Sequence, residues 1–344
     1  MMPAITTSNG PSPSAAIERA TSAELPLAPR FRHGPKLQER TEAELRQHAD
    51  VPVMRTSIDA SSGQRQLVDA TRMTPREAVL SSVAQLASEH VAHTAAPGTR
   101  PSLVSIEEIP RGGPHGFVMG MHNPHMGISS RVVDLLEQGI DRLRTDPYDT
   151  WDTRDRQKFI GANHVVLHEA SHAINRPSSG GAASVNALDI ARVDADPAFR
   201  QHYMRERQLE EPVTELATSA MMSDFLRDTY GIDDPAEVAR FQAFRAHVAR
   251  TTPEAYSTHA LRLQQMLTPL ADATQGVKDL AITLGQDVPV AGRSAWLIDN
   301  LAERGARELA PDVRQALVAA VPAAVQGSQQ HWDAIQQLTG TSFS

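Results

Sequence analysis

The chain has 344 residues, a formal net charge of −8 and no cysteine. The negative balance excludes the broad basic face that generic nucleic-acid binding needs, and the missing thiols exclude disulfides, cysteine-ligated metals and a cysteine nucleophile. Hydrophobic residues make up 40% but aromatics 4%, so the core must be built from Leu, Val, Ile, Met and Ala, a composition that favours helices.

The first 17 residues carry no charged side chain and are rich in Ser, Thr, Pro and Ala. Pro11-Ser12-Pro13-Ser14 can hold neither a helix nor a ladder. Residues 1–40 are therefore expected to be a disordered N-terminal segment, without the cationic start and apolar run of a secretory signal peptide. Thr41 and Glu44 have capping-box spacing, as do Thr74 and Glu77 with Pro75 at the first helical position, which predicts a helix over 75–93. Ser102 to Ile109 and Gly116 to His122 read as two strands around the turn at Pro110 to Pro114. Ile128 to Leu143 has the helical period, with Val132, Leu136 and Ile140 on one side. The next helix is expected from Asp152 or Thr153 to about Asn175, stopped by Pro177 and Gly180-Gly181. Glu211 to Leu226 reads as another helix. Asp234 and Glu237 cap one at 235–250, and Thr252 with Pro253 starts one at 253–268. The remainder to about Gln337 is helical in pattern. Its most apolar stretch, Ala316 to Val325, is too short to span a bilayer and contains Pro322.

The chemistry-bearing motif is His168-Glu169-Ala170-Ser171-His172, inside the helix expected over 153–175. Residues four apart lie one turn above each other, so the two imidazoles can bind one Zn²⁺ at about 2.0–2.1 Å. Glu169, about 100° round the helix, points past the metal, where it can take a proton from a water whose pKa the metal lowers towards 7. His164 extends the series, but about 12 Å of helix separates it from His172. Those two cannot share one ion, and His164 is expected to pack or to support a ligand by hydrogen bonding.

A catalytic zinc needs a third protein ligand from elsewhere. Glu211 and Glu215 are four apart and share a helical face, so one can bind zinc while the other accepts a hydrogen bond from a ligand histidine. The plainer alternative is an acidic first turn that suits the helix dipole. His122 and His125 flank Asn123-Pro124 in a loop without carboxylates and are read as non-catalytic. Met119, Met121, Met221 and Met222 are read as core filler. The strand Gly116 to His122 can serve as an edge that pairs with an extended substrate backbone.

The pattern H-E-x-x-H-A at His168 to Ala173, followed after about forty residues by Glu210-Glu211-x-x-Thr214, resembles the gluzincin peptidases of the clostridial neurotoxin light chains. It is similar also to the small H-E-x-x-H effectors delivered by type III secretion from plant and animal pathogens. The likeness covers residues 160–220. It implies His168 and His172 as metal ligands, Glu169 as general base and Glu211, three residues before Thr214, as third ligand. The family often has Gly shortly after that Thr; here Glu215-Leu216-Ala217 follows, so Glu215 stays as the alternative third ligand. The clostridial enzymes carry a downstream Arg-x-x-Tyr that steadies the oxyanion. Arg227-Asp228-Thr229-Tyr230 matches that string, but it lies about 24 Å along the axis from Glu211 unless the helix breaks near Met221 to Ser223. Tyr203, Tyr256, His259 and Arg262 are the alternatives.

The expected fold is α+β and helix-rich: a zincin-like metallopeptidase domain over 41–230, with a helical C-terminal region over 231–344. The expected activity is a zinc endopeptidase that cuts an extended protein segment, with no nucleic-acid partner and no membrane span. The uncharged, Ser-rich start resembles the export signal of a type III secreted effector, which would act on a host protein and could use a secretion chaperone at its N-terminus. The alternatives are a resident bacterial cytoplasmic peptidase and a non-catalytic binding protein with a degenerate site.

Overall fold

Local signals set the helix starts. Thr41 and Glu44 exchange hydrogen bonds with each other's backbone amides at the head of α1 (Glu42–Gln47). Thr74 and Glu77 do the same, ahead of Pro75, at the head of α2 (Pro75–Thr94). Both boxes satisfy amides that a helix start leaves open. The computed structural model describes residues 35–47, 51–56, 65–68, 70–95, 100–101, 103, 105–112, 114–119, 124–175, 195–251, 256–272 and 276–343. Ser102, the 120–123 stretch with Met121 and His122, Pro177 with Gly180-Gly181, and Thr252-Pro253 lie outside the described residues.

Between α1 and α2 come β1 (Val53–Thr56) and β2 (Arg65–Val68), which the sequence pattern did not announce. Then follow β3 (Arg100–Pro101), β4 (Ser105–Ile109), β5 (Gly116–Met119) and β6 (His125–Ser129). β6 corrects two expectations: His125 sits in a strand rather than a loop, and Ile128 belongs to that strand rather than to the helix after it. That helix, α3, spans Ser130–Thr145. The sheet order is β2-β1-β4-β6-β5, with β1, β4 and β6 parallel and β2 and β5 antiparallel at the two edges.

The motif helix, α4 (Thr153–His172), is capped by Asp152, whose carboxylate accepts from the Asp155 amide. It ends three residues earlier than expected. Ala173 leaves helical geometry, and β7 (Ile174–Asn175) pairs with β3. Next come α5 (Pro197–Glu206) and α6 (Glu210–Tyr230), the latter unbroken through Met221 to Ser223. Gly231, at φ 71°, closes α6 with its amide on Arg227 O, the left-handed cap that favours glycine. The C-terminal part holds α7 (Pro235–Thr251), α8 (Tyr256–Leu267), α9 (Val277–Ile282), α10 (Arg293–Arg304), α11 (Pro311–Val325) and α12 (Gln329–Thr339).

Residues 35–344 form one compact unit, and two large apolar clusters among its described residues build most of the core. Ile106, Met126 and Ile128 of the sheet pack with Val83 of α2, Leu136 of α3, Val166 of α4 and Met221 and Met222 of α6. Leu263, Leu284, Leu297, Val321 and Ile335 build the second cluster, which Val213 of α6 joins. Each such side chain contributes about 1.5–3 kcal/mol on burial. α6 therefore lies between the two clusters, buried on both sides. The segment read as disordered lies, up to residue 34, outside the described residues. Leu37 is already buried, while Lys36 Nζ and Gln38 Nε2 donate to carbonyls at the end of α6. Among the described residues no helix is long and apolar enough to cross a membrane.

Candidate metal centre

α4 is buried through Phe159, Ile160, Val166, Leu167 and Ala170, which fixes its rotation and turns its histidines towards α6. The two helices meet as an antiparallel ladder. His164 faces Glu215, His168 faces Glu211 and Glu215, and His172 faces Glu210 and Glu211. One-turn spacing on both helices keeps the rungs matched.

His168 Nε2 and His172 Nε2 lie 3.3 Å apart. Glu211 Oε2 is 3.2 Å from the first, and Glu211 Oε1 is 3.5 Å from the second. The other nitrogen of each ring faces a different carboxylate: His172 Nδ1 is 3.1 Å from Glu210 Oε1, and His168 Nδ1 is 3.5 Å from Glu215 Oε2, a looser contact. Carboxylates at both Nδ1 atoms favour the tautomers whose Nε2 lone pairs converge. Arg207 Nε, 3.1 Å from Glu210, steadies one of these supports from the opposite side.

A second group of donors, His164, His168 and Glu215, lies one turn deeper. Its chemistry is that of a hydrogen-bond hub. Glu215 Oε2 is 3.1 Å from His164 Nε2, and Arg245 Nη2 forms an ion pair with Glu215 Oε1 at 2.8 Å. Burial pushes His164 down to about 4, so it is neutral and donates its Nε2–H to Glu215. A carboxylate already matched by a guanidinium and two imidazoles is a poor ligand and a good anchor. The side chain of Glu211 is 39% exposed against 8% for Glu215, so Glu211 lies at the open end. Glu211 and Glu215, the two carboxylates expected to divide ligand and support between them, thus stand at the open and the deep end of the ladder.

The carboxylates around His168 and His172 raise the proton affinity of both imidazoles. Burial alone would lower His172, but Glu210 and Glu211 outweigh it and push it up to about 10. His168 is raised in the same way, against burial, by Glu211 and Glu215. Burial opposes ionisation of Glu211, yet the two imidazoles hold its carboxyl well below the usual range.

Glu169 stands apart from the ladder. It is 8% exposed and makes no ion pair or hydrogen bond among the described residues. Burial pushes its carboxyl up, partly offset by His168 and His172. Its stem lies on Gly116, the first residue of β5. A Cβ there would come within 2.7 Å of Glu169 Cγ, so the close approach of strand and carboxylate stem requires glycine.

Other expected residues fall elsewhere. Because α6 is continuous, Arg227 sits on its far end, paired with Asp224 and Asp228, and Tyr230 is buried with its hydroxyl donating to Asn163. The Arg-x-x-Tyr match is therefore coincidental. Tyr203 packs with Phe199 and Val290, and Arg262 donates to Ala324 O. His259 is half-buried on α8 with its pKa lowered by burial, and the side chain of Tyr256 lies outside the described residues. His125 does have a carboxylate, Glu107 at 3.1 Å, and Ser105 Oγ at 2.8 Å, but this trio is buried within the sheet. Glu210, Arg207 and Arg245 were not singled out as supports; the acidic run of 210–215 was the signal available. Comparison with known proteins finds no matching family model, no matching curated protein and no matching solved structure.

Proposed function

We propose that the chain is a zinc-dependent endopeptidase with a zincin-like, gluzincin-type centre. His168, His172 and Glu211 would hold the ion, with the remaining position left for water or substrate. The observation that carries this reading is the spacing of the donor atoms, 3.2, 3.3 and 3.5 Å. Bonds of about 2.0–2.1 Å at tetrahedral angles set neighbouring donors about 3.3 Å apart. Zinc bound there would supply Lewis acidity, lowering the pKa of water and polarising the scissile carbonyl.

The rest of the chemistry belongs to the chain's own residues. Glu169, buried and without an ion pair or hydrogen bond among the described residues, accepts the proton of the attacking water and delivers it to the leaving amine nitrogen. Its raised proton affinity suits both halves of that transfer. Glu210 holds His172 Nδ1 and so keeps its Nε2 lone pair aimed, while Glu215 lies 3.5 Å from His168 Nδ1 and biases that ring the same way. β5 is an edge strand whose first residue touches Glu169. Its outer backbone groups can pair with an extended peptide and bring a peptide carbonyl to the base. That supports a protein segment as substrate. The uncharged start of the chain supports type III delivery to a host protein, tested by deleting residues 1–34 and following export.

Metal analysis should find one zinc per chain, lost in His168→Ala. Glu169→Gln should retain zinc and lose about 10²–10⁴-fold in cleavage of a proteome-derived peptide library. Undiminished cleavage by that variant overturns the general-base role. A folded chain that takes up no zinc overturns the metal centre and leaves a non-catalytic binding protein.

A further inference from the structure

Behind the ladder, on the side of α6 that faces the C-terminal helices, lies a recess of about 160 Å³. Its charged groups are Glu215 of α6, Arg245 of α7 and Lys278 of α9, and Leu216, Leu261 and Val277 supply apolar wall. The one acid is already matched: Glu215 is ion-paired with Arg245 and faces His164 and His168. Lys278 is exposed and has no ion pair among the described residues, so the recess carries an uncompensated positive charge in a chain of net charge −8. Arg245 engages Glu215 through Nη2 and lies 5.8 Å from the Phe241 ring centroid. A guanidinium has five N–H donors, so it can also take a second carboxylate. Two cations beside an aliphatic wall, in a space of this size, match an anionic head on a short hydrocarbon tail.

We propose that this recess is a binding site for a small organic carboxylate with a short aliphatic tail. The site stands without the metal reading. Its link to His168 rests on that reading: an anion sharing Arg245 loosens the guanidinium's hold on Glu215, and Glu215 supports His168. By linkage, carboxylate and zinc then alter each other's affinity by the same factor.

The test is a methyl-NMR titration of the full chain with butyrate, following Leu216, Leu261 and Val277, with butyramide and inorganic phosphate as companion probes. Butyrate should move those methyls with a dissociation constant of about 1 mM. Lys278→Gln and Leu261→Glu should each weaken it about 10-fold while methyls remote from the recess stay in place. No movement at tenfold that concentration, or an unchanged affinity in both variants, overturns the site. Equal binding of butyramide overturns the anionic head, and equal binding of phosphate overturns the tail. Zinc affinity should shift about threefold with saturating butyrate; an unshifted value overturns the link to His168. A chain that takes up butyrate but no zinc defeats the metal reading and leaves the recess standing.

Discussion

Substituting the two rival carboxylates one at a time separates a ligand from its support. Structural zinc is bound by about 10–16 kcal/mol at neutral pH. One ligand of four then accounts for about 2.5–4 kcal/mol, or about 10²–10³-fold in Kd. Glu211→Gln should lose that much, because Glu211 spans both Nε2 atoms at 3.2 and 3.5 Å. Glu215→Gln removes the acceptor at His168 Nδ1 and should cost about 10–100-fold, the usual range for a residue that orients a ligand. His164→Asn, one step further out, should cost less than about 10-fold. Competition with a chromophoric chelator gives all three values, and circular dichroism confirms that each variant is folded. If Glu215→Gln lost more zinc than Glu211→Gln, and His164→Asn lost it as well, the ion would belong to the deeper trio. The claim that Glu211 completes the centre would then be wrong.

Three further outcomes follow from the same geometry. Gly116→Ala should displace Glu169, since the new Cβ would lie 2.7 Å from Cγ; peptide cleavage should fall about 10²-fold while chelator competition finds zinc affinity unchanged. Arg293→Met should cost about 1–3 kcal/mol of stability in urea unfolding, because the wholly buried guanidinium donates Nη2 to Gly285 O at 3.2 Å; a variant as stable as the parent would refute that role. In the metal-free chain the folded pKa of His172, about 10, lies above its ordinary 6.5, so its contribution is complete below pH 6.5 and is lost as pH rises towards 10. Glu211, held below its ordinary 4.5, contributes above that value and loses its contribution as pH falls through its folded pKa. The metal-free melting temperature should therefore peak between pH 4.5 and 6.5. The zinc-induced rise in melting temperature should grow with pH, since ligands must shed their protons. A rise that is flat from about pH 5 to 8 would count against histidine ligation.

Much of the helical frame was legible because its starts are local chemistry. Thr41, Thr74, Asp152 and Asp234 each cap the helix expected of them. β1 and β2 are four residues each and lack a run of alternation. β6 is buried at every position, so it shows no alternation either, and its Ile128 falls into the period of the helix that follows. The histidine pair and its glutamate were legible because three side chains on one helix have fixed relative directions. Glu211 against Glu215 was not decidable in sequence. They share a face, and which one meets the outer turn of α4 depends on the register between two helices about forty residues apart. Arg245 reaches Glu215 from a third helix, where no spacing rule applies.

The proposed metal reading has a basis in charge. Glu169, Glu210 and Glu215 are each less than 9% exposed, and Glu211 is half-buried beside them. Against four carboxylates stand two guanidinium groups, Arg207 on Glu210 and Arg245 on Glu215. With neutral imidazoles the cluster holds two unmatched negative charges in a poorly solvated place, a costly state. Protons on His168 and His172 offset them, which is why both pKa values rise against burial. Under the proposed function, a divalent ion held by His168, His172 and Glu211 would offset the same two charges with both rings neutral, and ions and protons would compete for that place. Among the described residues Glu169 is the carboxylate of the four that makes no ion pair or hydrogen bond, which on that reading leaves its oxygens open to a water proton.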